Sequence, residues 1–105
     1  MNLLEIRDVL LTVTSKVYHF EAPAGETGKY IVWAEDGETD LHADDKIEAR
    51  VTEGTIDLFT PDEYDTMPQE ISEALDQAGV SHKLNSIQRE PDTGLIHYEW
   101  VFEIG

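Results

Sequence analysis

Histidines and carboxylates are the residues of this chain that could do chemistry. The four histidines are His19, His42, His82 and His97. No two of them have the close helical spacing of a zinc-binding motif. The best candidate metal ligands are Asp40, His42, Asp44 and Asp45. A calcium loop of the EF-hand type needs Asp or Asn at alternate positions, then Gly, then Glu six residues later, and this stretch does not match. We therefore predict no metal and no cofactor, and interpret the stretch as a solvated acidic loop.

Acid–base catalysis would need a carboxylate in a buried setting that shifts its pKa, and the sequence marks none. Asp57 lies between Ile56 and Leu58, so we expect its side chain to face water on the polar side of a strand. The nucleophile-elbow pattern, the phosphate-binding glycine loop and the dinucleotide fingerprint are absent. The chain has no Cys, which excludes a thiolate nucleophile. We predict that the chain is not an enzyme, with a carboxylate–histidine site in the acidic loop as the catalytic alternative.

The chain is strongly acidic, with 23 acidic and seven basic residues and a net charge of −16. Residues 35–45 contribute six of the acids and residues 51–82 contribute eight, with no Lys or Arg in either stretch. Such a surface repels nucleic acid and anionic lipid, so we exclude specific DNA binding and a membrane partner. No apolar run approaches the roughly 20 residues needed to cross a bilayer. Solubility, an acidic wall along which DNA slides, and mimicry of DNA all remain explanations of the charge.

Hydrophobic periodicity places these residues on elements of one domain, residues 1–105. A helix is predicted over 3–13 and strands over 16–20, 29–34, 46–52 (resuming over 56–59), 82–90 and 95–104. A second helix is predicted to begin with a capping box at Thr60-Pro61-Asp62-Glu63 and to stop at Gly79. The predicted fold class is α+β, with the order helix, strand, strand, strand, helix, strand, strand. We expect a mainly antiparallel or mixed sheet of about five strands, with both helices packed on one face.

Two details of the predicted sheet bear on function. A bulge is expected at Glu53-Gly54, where it would reset which side chains face the core. In the last strand, Tyr98, Trp100 and Phe102 fall at alternate positions of a stretch whose other face carries His97, Glu99 and Glu103. This spacing predicts that the three aromatic residues are core, the alternative being a binding surface.

Residues 35–45 are predicted to be a long acidic loop at the tip of a hairpin, and loops of this length tend to be functional. We expect it to contact a neighbouring subunit. The predicted interaction residues are Glu35, Asp36, Glu38, Asp40, Leu41, His42, Asp44 and Asp45.

Two stretches carry a resemblance to a known family. One is Ile56-Asp57-Leu58-Phe59-Thr60 with Asp62-Glu63-Tyr64 and the helix ending Leu75-Asp76-Gln77-Ala78-Gly79. The other runs from Glu90-Pro91-Asp92-Thr93-Gly94 to Trp100-Val101-Phe102-Glu103-Ile104, and Lys29-Tyr30-Ile31-Val32-Trp33 is a weaker third. Together they resemble the tail terminator or head–tail joining proteins of long-tailed phages and prophages, also called tail completion or minor capsid proteins.

The resemblance implies a structural virion protein made in the cytoplasm of a bacterial host. Family members are implied to be monomers before assembly and to form a hexameric ring that meets the tail tube and the head connector. In such a ring, the 35–45 loop would contact the neighbouring subunit or the connector. The acidic charge would keep DNA from adhering to the inside of the ring. The alternative is an acidic DNA mimic or inhibitor that binds a basic partner such as a nuclease or repressor.

Overall fold

The computed structural model describes residues 1–43 and 46–105, with side chains described for residues 1–39 and 50–105. The elements follow in the order α1 (Leu3–Leu11), β1 (Val17–His19), β2 (Tyr30–Ala43), β3 (Lys46–Thr60), α2 (Met67–Gln77), β4 (Ser81–Arg89) and β5 (Ile96–Ile104). This is the predicted order, and the predicted α+β fold class is confirmed.

The five strands form a single mixed sheet in the order β1-β2-β3-β5-β4. The β1–β2 pair is parallel, and the other three pairs are antiparallel. The central strand is β3, which pairs with β2 along one edge and with β5 along the other. Strand β4 and the short β1 therefore form the two edges of the sheet.

The core lies between one face of the sheet and the two helices. Ile6 and Leu10 of α1 and Ile71 and Leu75 of α2 are fully buried against inward residues of β2, β3 and β5. Trp100 is fully buried, and its Nε1 donates to the Ser72 hydroxyl of α2 at 3.2 Å. The prediction that the β5 aromatics are core is confirmed for Trp100 and Phe102. We call the other side of the sheet, which the helices leave uncovered, the open face.

The prediction of a loop is wrong over residues 35–43, and Asp44 and Asp45 lie outside the described residues. Strand β2 runs on to Ala43 and β3 begins at Lys46, and their pairing continues to Ala43 opposite Lys46. The polar sequence from Glu35 onward lacks the apolar alternation of a half-buried strand, because most of this part of β2 lies beyond the core. Its backbone hydrogen bonds to β3 make it a strand, and such pairing does not require an apolar face.

The predicted start of the second helix is also wrong, since α2 begins at Met67 and not at the Thr60 capping box. Thr60 is the last residue of β3 and is buried. Its hydroxyl donates to Asp65 at 2.7 Å, so it does not cap a helix at Glu63. Asp65 also accepts from the Met67 backbone N–H at 2.9 Å and pairs with the Lys29 ammonium at 2.7 Å. Residues 61–66 therefore form a tight connection held by Asp65.

Candidate functional site

The most prominent surface feature is the far end of the β2–β3 hairpin, residues 37–43 and 46–51, which we call the hairpin arm. β1 pairs with β2 only over Ile31–Trp33, and the pairing of β5 with β3 ends at Thr52 opposite Ile104. Within the described backbone, the arm strands therefore pair only with each other. The molecule is correspondingly elongated, measuring 50 × 27 × 22 Å.

A β-bulge marks the base of the arm. Glu35 pairs with Gly54 and Gly37 pairs with Glu53, which leaves Asp36 as the extra residue on β2. The irregularity falls at the predicted position along the hairpin, but the inserted residue is on the partner strand. Gly54 lies opposite the bulge and packs so closely that a Cβ there would stand 2.3 Å from the Ala34 carbonyl oxygen and 2.5 Å from the Phe102 ring. A bulge bends its strand and increases the local twist, so its position at the base of the arm affects the direction in which the arm leaves the sheet.

The predicted interaction residues divide between the base and the arm. Glu35 is half-buried at the base, where the Nε2 of His19 lies 3.0 Å from its carboxylate. Asp36 and Glu38 are exposed. Asp40, Leu41 and His42 belong to β2 by their backbone pairing, and Asp44 and Asp45 lie outside the described residues. The candidate metal ligands of the acidic stretch thus lie on a strand or outside the described part.

A second feature, absent from the predicted sites, is a cluster of Asp57, His97 and Glu99 on the open face. The Nε2 of His97 lies 2.6 Å from Oδ1 of Asp57 across the β3–β5 pair. Asp57 and Glu99 are direct partners in the strand register, and one ligand atom from each of the three residues lies within 4.8 Å of the others. All three are half-buried.

Asp57 faces away from the core as predicted, but it is far less exposed than a free surface carboxylate. Its side chain is only 18% exposed. Burial raises the pKa of Asp57, and the charges of Glu99 and Asp36 raise it further, while the hydrogen bond and charge of His97 oppose the shift. The expectation that no carboxylate has a buried setting is therefore wrong at Asp57.

An aromatic row extends from the cluster across the open face. The rings of His97 and Phe59 stack at 4.4 Å between centroids, and those of Phe59 and Tyr30 stack at 4.8 Å. The connection between β1 and β2 borders this row and forms a groove of about 420 Å³ with it. Glu26 ties this connection to the sheet by accepting hydrogen bonds from the Tyr18 hydroxyl and the Lys16 ammonium. The groove therefore has aromatic rings on one side and, on the other, the β1–β2 connection, which the Glu26 hydrogen bonds hold in place.

The sequence contained a partial signal for this cluster. His97 and Glu99 alternate with apolar and aromatic residues of β5, and Asp57 lies between Ile56 and Leu58 of β3, so each could be placed on the polar side of its strand. That the two strands are neighbours, with Asp57 opposite Glu99, depends on a register that periodicity does not give.

Comparison with known proteins gives a fold but no family. No sequence-family model matches the chain, and no curated protein sequence is similar to it at a significant level. One solved chain with the same fold comes from a structure described as the virion of a native gene transfer agent particle. The likeness has a TM-score of 0.57 and covers 90% of this chain and 81% of that chain, at 18% sequence identity. At this identity the likeness shows a shared fold.

The sequence predicted no segment that crosses a membrane. Neither of the described helices combines the length and the apolar character that crossing a bilayer would require.

Proposed function

We propose that this chain is a structural virion protein of a phage or phage-like particle, and that it acts as a tail terminator or head–tail joining protein. Two observations of different kinds support the proposal. The sequence carries the two stretches that resemble that family, and the fold is shared with a chain of a gene transfer agent virion. The proposed role is assembly without catalysis, in a virion formed in the host cytoplasm.

The observation that carries the proposal is the hairpin arm. An isolated two-stranded hairpin is marginally stable in water, and unpaired strand edges are templates for pairing with another chain. We infer that the arm lies against a neighbouring subunit in the assembled particle. An arm that leaves one side of a subunit and docks on a different surface of the next makes a heterologous contact, which generates a ring when the rotation closes. The hexameric number is the expectation from the resemblance.

The receiving surface that we favour is the edge strand β4. This strand pairs with β5 along one side only within the described residues. It also exposes two large apolar side chains, Leu84 at 41% and Ile87 at 56%. Unpaired backbone groups beside apolar side chains are the features by which an added strand binds a sheet edge.

The charge of the chain fits a ring through which DNA passes. The net charge of −16 repels DNA phosphates, so DNA would not adhere to a lumen lined with these carboxylates. On α2, Glu70, Glu73 and Asp76 are exposed and could contribute to such a lining. The partners of the ring would be the tail tube on one side and the head connector on the other.

The experiment that tests the role is removal of the arm. Residues 39–51 are replaced by an Asn-Gly turn, because Glu38 and Thr52 form the last pair beside the end of β5 and Asn-Gly closes a two-residue hairpin. We expect this variant to stay folded, with a cooperative thermal transition by circular dichroism, and to lose association with purified tail tubes and connectors in sedimentation assays. Asp92→Asn, in the exposed β4–β5 turn, is the control and should associate like the wild type. An arm-shortened variant that associates normally would contradict the proposal.

A second candidate function, an acidic inhibitor that mimics DNA, is favoured by the net charge of −16 alone. Such a protein would bind a basic nuclease or repressor with an affinity that falls steeply as salt rises. Binding of that kind by the wild-type chain, without any binding to tails or connectors, would favour this second candidate.

A further inference from the structure

We propose that Asp57, His97 and Glu99 form a binding site for a divalent transition-metal ion such as Zn²⁺ or Mn²⁺, which would link β3 to β5 on the open face. The three side chains offer one imidazole nitrogen and two carboxylate oxygens, all within 4.8 Å of one another. Metal–ligand bonds of about 2.1 Å in tetrahedral geometry put ligand atoms about 3.4 Å apart. The Asp57–His97 contact of 2.6 Å would therefore widen by less than 1 Å to admit the ion.

The cluster is electrostatically unfavourable without a cation. Asp57 and Glu99 lie directly opposite each other on antiparallel strands, and like charges in that position destabilise a sheet. A third carboxylate, Glu90, lies 3.4 Å from Nδ1 of His97. Of the described charged groups that act on the Asp57 carboxylate, only His97 can be positive. One imidazole ring thus lies among three carboxylates, whereas a bound dication would neutralise Asp57 and Glu99 together.

The surroundings hold the ligands in orientations suited to a metal. Because Glu90 faces Nδ1 of His97, the Nε2 atom is the one directed at Asp57. The placement resembles the carboxylate–histidine–metal arrangement, in which an outer carboxylate orients the imidazole. The ring is stacked on Phe59 with an interplanar angle of 21°. Asn85 of β4 donates to Oε1 of Glu99 at 2.9 Å, which positions the third ligand.

The ligand types indicate the class of ion. An imidazole with two carboxylates suits Zn²⁺ or Mn²⁺, whereas Mg²⁺ prefers oxygen ligands and retains its water. Asp57 and His97 both line the groove beside the aromatic row, which gives an ion a route to them. Three protein ligands leave the remaining coordination positions to water. The site is independent of the proposed virion role, since the hairpin arm contributes no ligand to it.

Isothermal titration calorimetry of the full chain, after treatment with a chelator, tests the proposal. Zn²⁺ and Mn²⁺ are titrated in excess Mg²⁺, which suppresses general binding to the acidic surface. We expect one ion per chain, with affinity that increases as pH rises because a metal ion binds its ligands in their deprotonated forms. Glu90→Gln and Asn85→Ala, which disturb only the outer contacts, should weaken binding roughly 10- to 100-fold. His97→Gln and Glu99→Gln should weaken it further.

The matched control is His82→Gln, which removes a histidine outside the cluster and should bind like the wild type. NMR spectra report in parallel whether each variant is folded and whether Zn²⁺ shifts the His97 ring signals. A wild-type chain without stoichiometric binding in excess Mg²⁺ would overturn the proposal. Wild-type affinity in folded His97→Gln would overturn it as well.

Discussion

Gly54→Ala perturbs the contact that fixes the base of the hairpin arm. The added methyl group would lie 2.3 Å from the Ala34 carbonyl oxygen and 2.5 and 2.6 Å from two atoms of the Phe102 ring, where ordinary contact begins near 3.4 Å. Something must move by about 1 Å. The Ala34 oxygen belongs to the β2 backbone, and Phe102 is 1% exposed, so neither can move freely. We expect a loss of about 3 kcal/mol in the free energy of unfolding, which is the upper end of the range usual for overpacked cores.

Thermal unfolding followed by circular dichroism measures this loss. For a domain of this size, about 3 kcal/mol lowers Tm by roughly 12–24 °C. Gly37→Ala is the matched control, because it lies on the facing strand beside the bulge with nothing within 4 Å of an added Cβ. It should change the unfolding free energy by no more than about 1 kcal/mol, and in the stabilising direction, by restricting the unfolded chain. Equal Tm values for the two variants would refute the close packing at Gly54.

Three further predictions concern the core, the connection before α2 and the sheet edge. Trp100→Ala should cost about 3–5 kcal/mol in urea unfolding because the side chain is fully buried, and near-native stability would show that it is not core. Burial alone would raise the pKa of Asp65, but hydrogen bonds from Lys29, Thr60 and the Met67 backbone hold it below its usual value. Asp65 therefore stabilises the fold above its unfolded pKa of about 3.9, so Asp65→Asn should cost about 1.5–3 kcal/mol at neutral pH. That difference from the wild type should shrink as pH falls through the folded pKa, and a difference independent of pH would contradict the assignment. Ile87→Asp should leave Tm within a few degrees of the wild type and reduce association with tails, and normal association would exclude β4 as the receiving edge.

The accuracy of prediction from the sequence varied with the physical origin of each feature. Elements with a buried face were predictable: the alternation in β5 placed Trp100 and Phe102 in the core, and the stripe of α2 placed Ile71 and Leu75 there. Features that depend on a polar interaction or on strand register could not be predicted from the sequence. Thr60 looked like a helix cap because the pattern is local, but its hydroxyl bonds to Asp65.

The two candidate sites show the same limits. The choice of the acidic stretch as an interaction surface stays a prediction, whereas the loop predicted for it is wrong, because paired strands beyond the core need no apolar alternation. The Asp57–His97 contact joins residues 40 positions apart, and only the pairing of β3 with β5 brings them together. Asp57 was expected to be solvated because its neighbours in sequence are apolar, whereas its burial comes from the opposite strand and the groove.

The central claim is that the hairpin arm joins neighbouring subunits in a ring. The most direct measurement places a photoreactive amino acid at Glu38, which is exposed at the base of the arm, and irradiates the protein after it has assembled on purified tails. The proposal predicts a ladder of cross-linked subunits up to the hexamer, with the linked peptide mapping to a different copy of the chain. Cross-links confined to a single chain would contradict it.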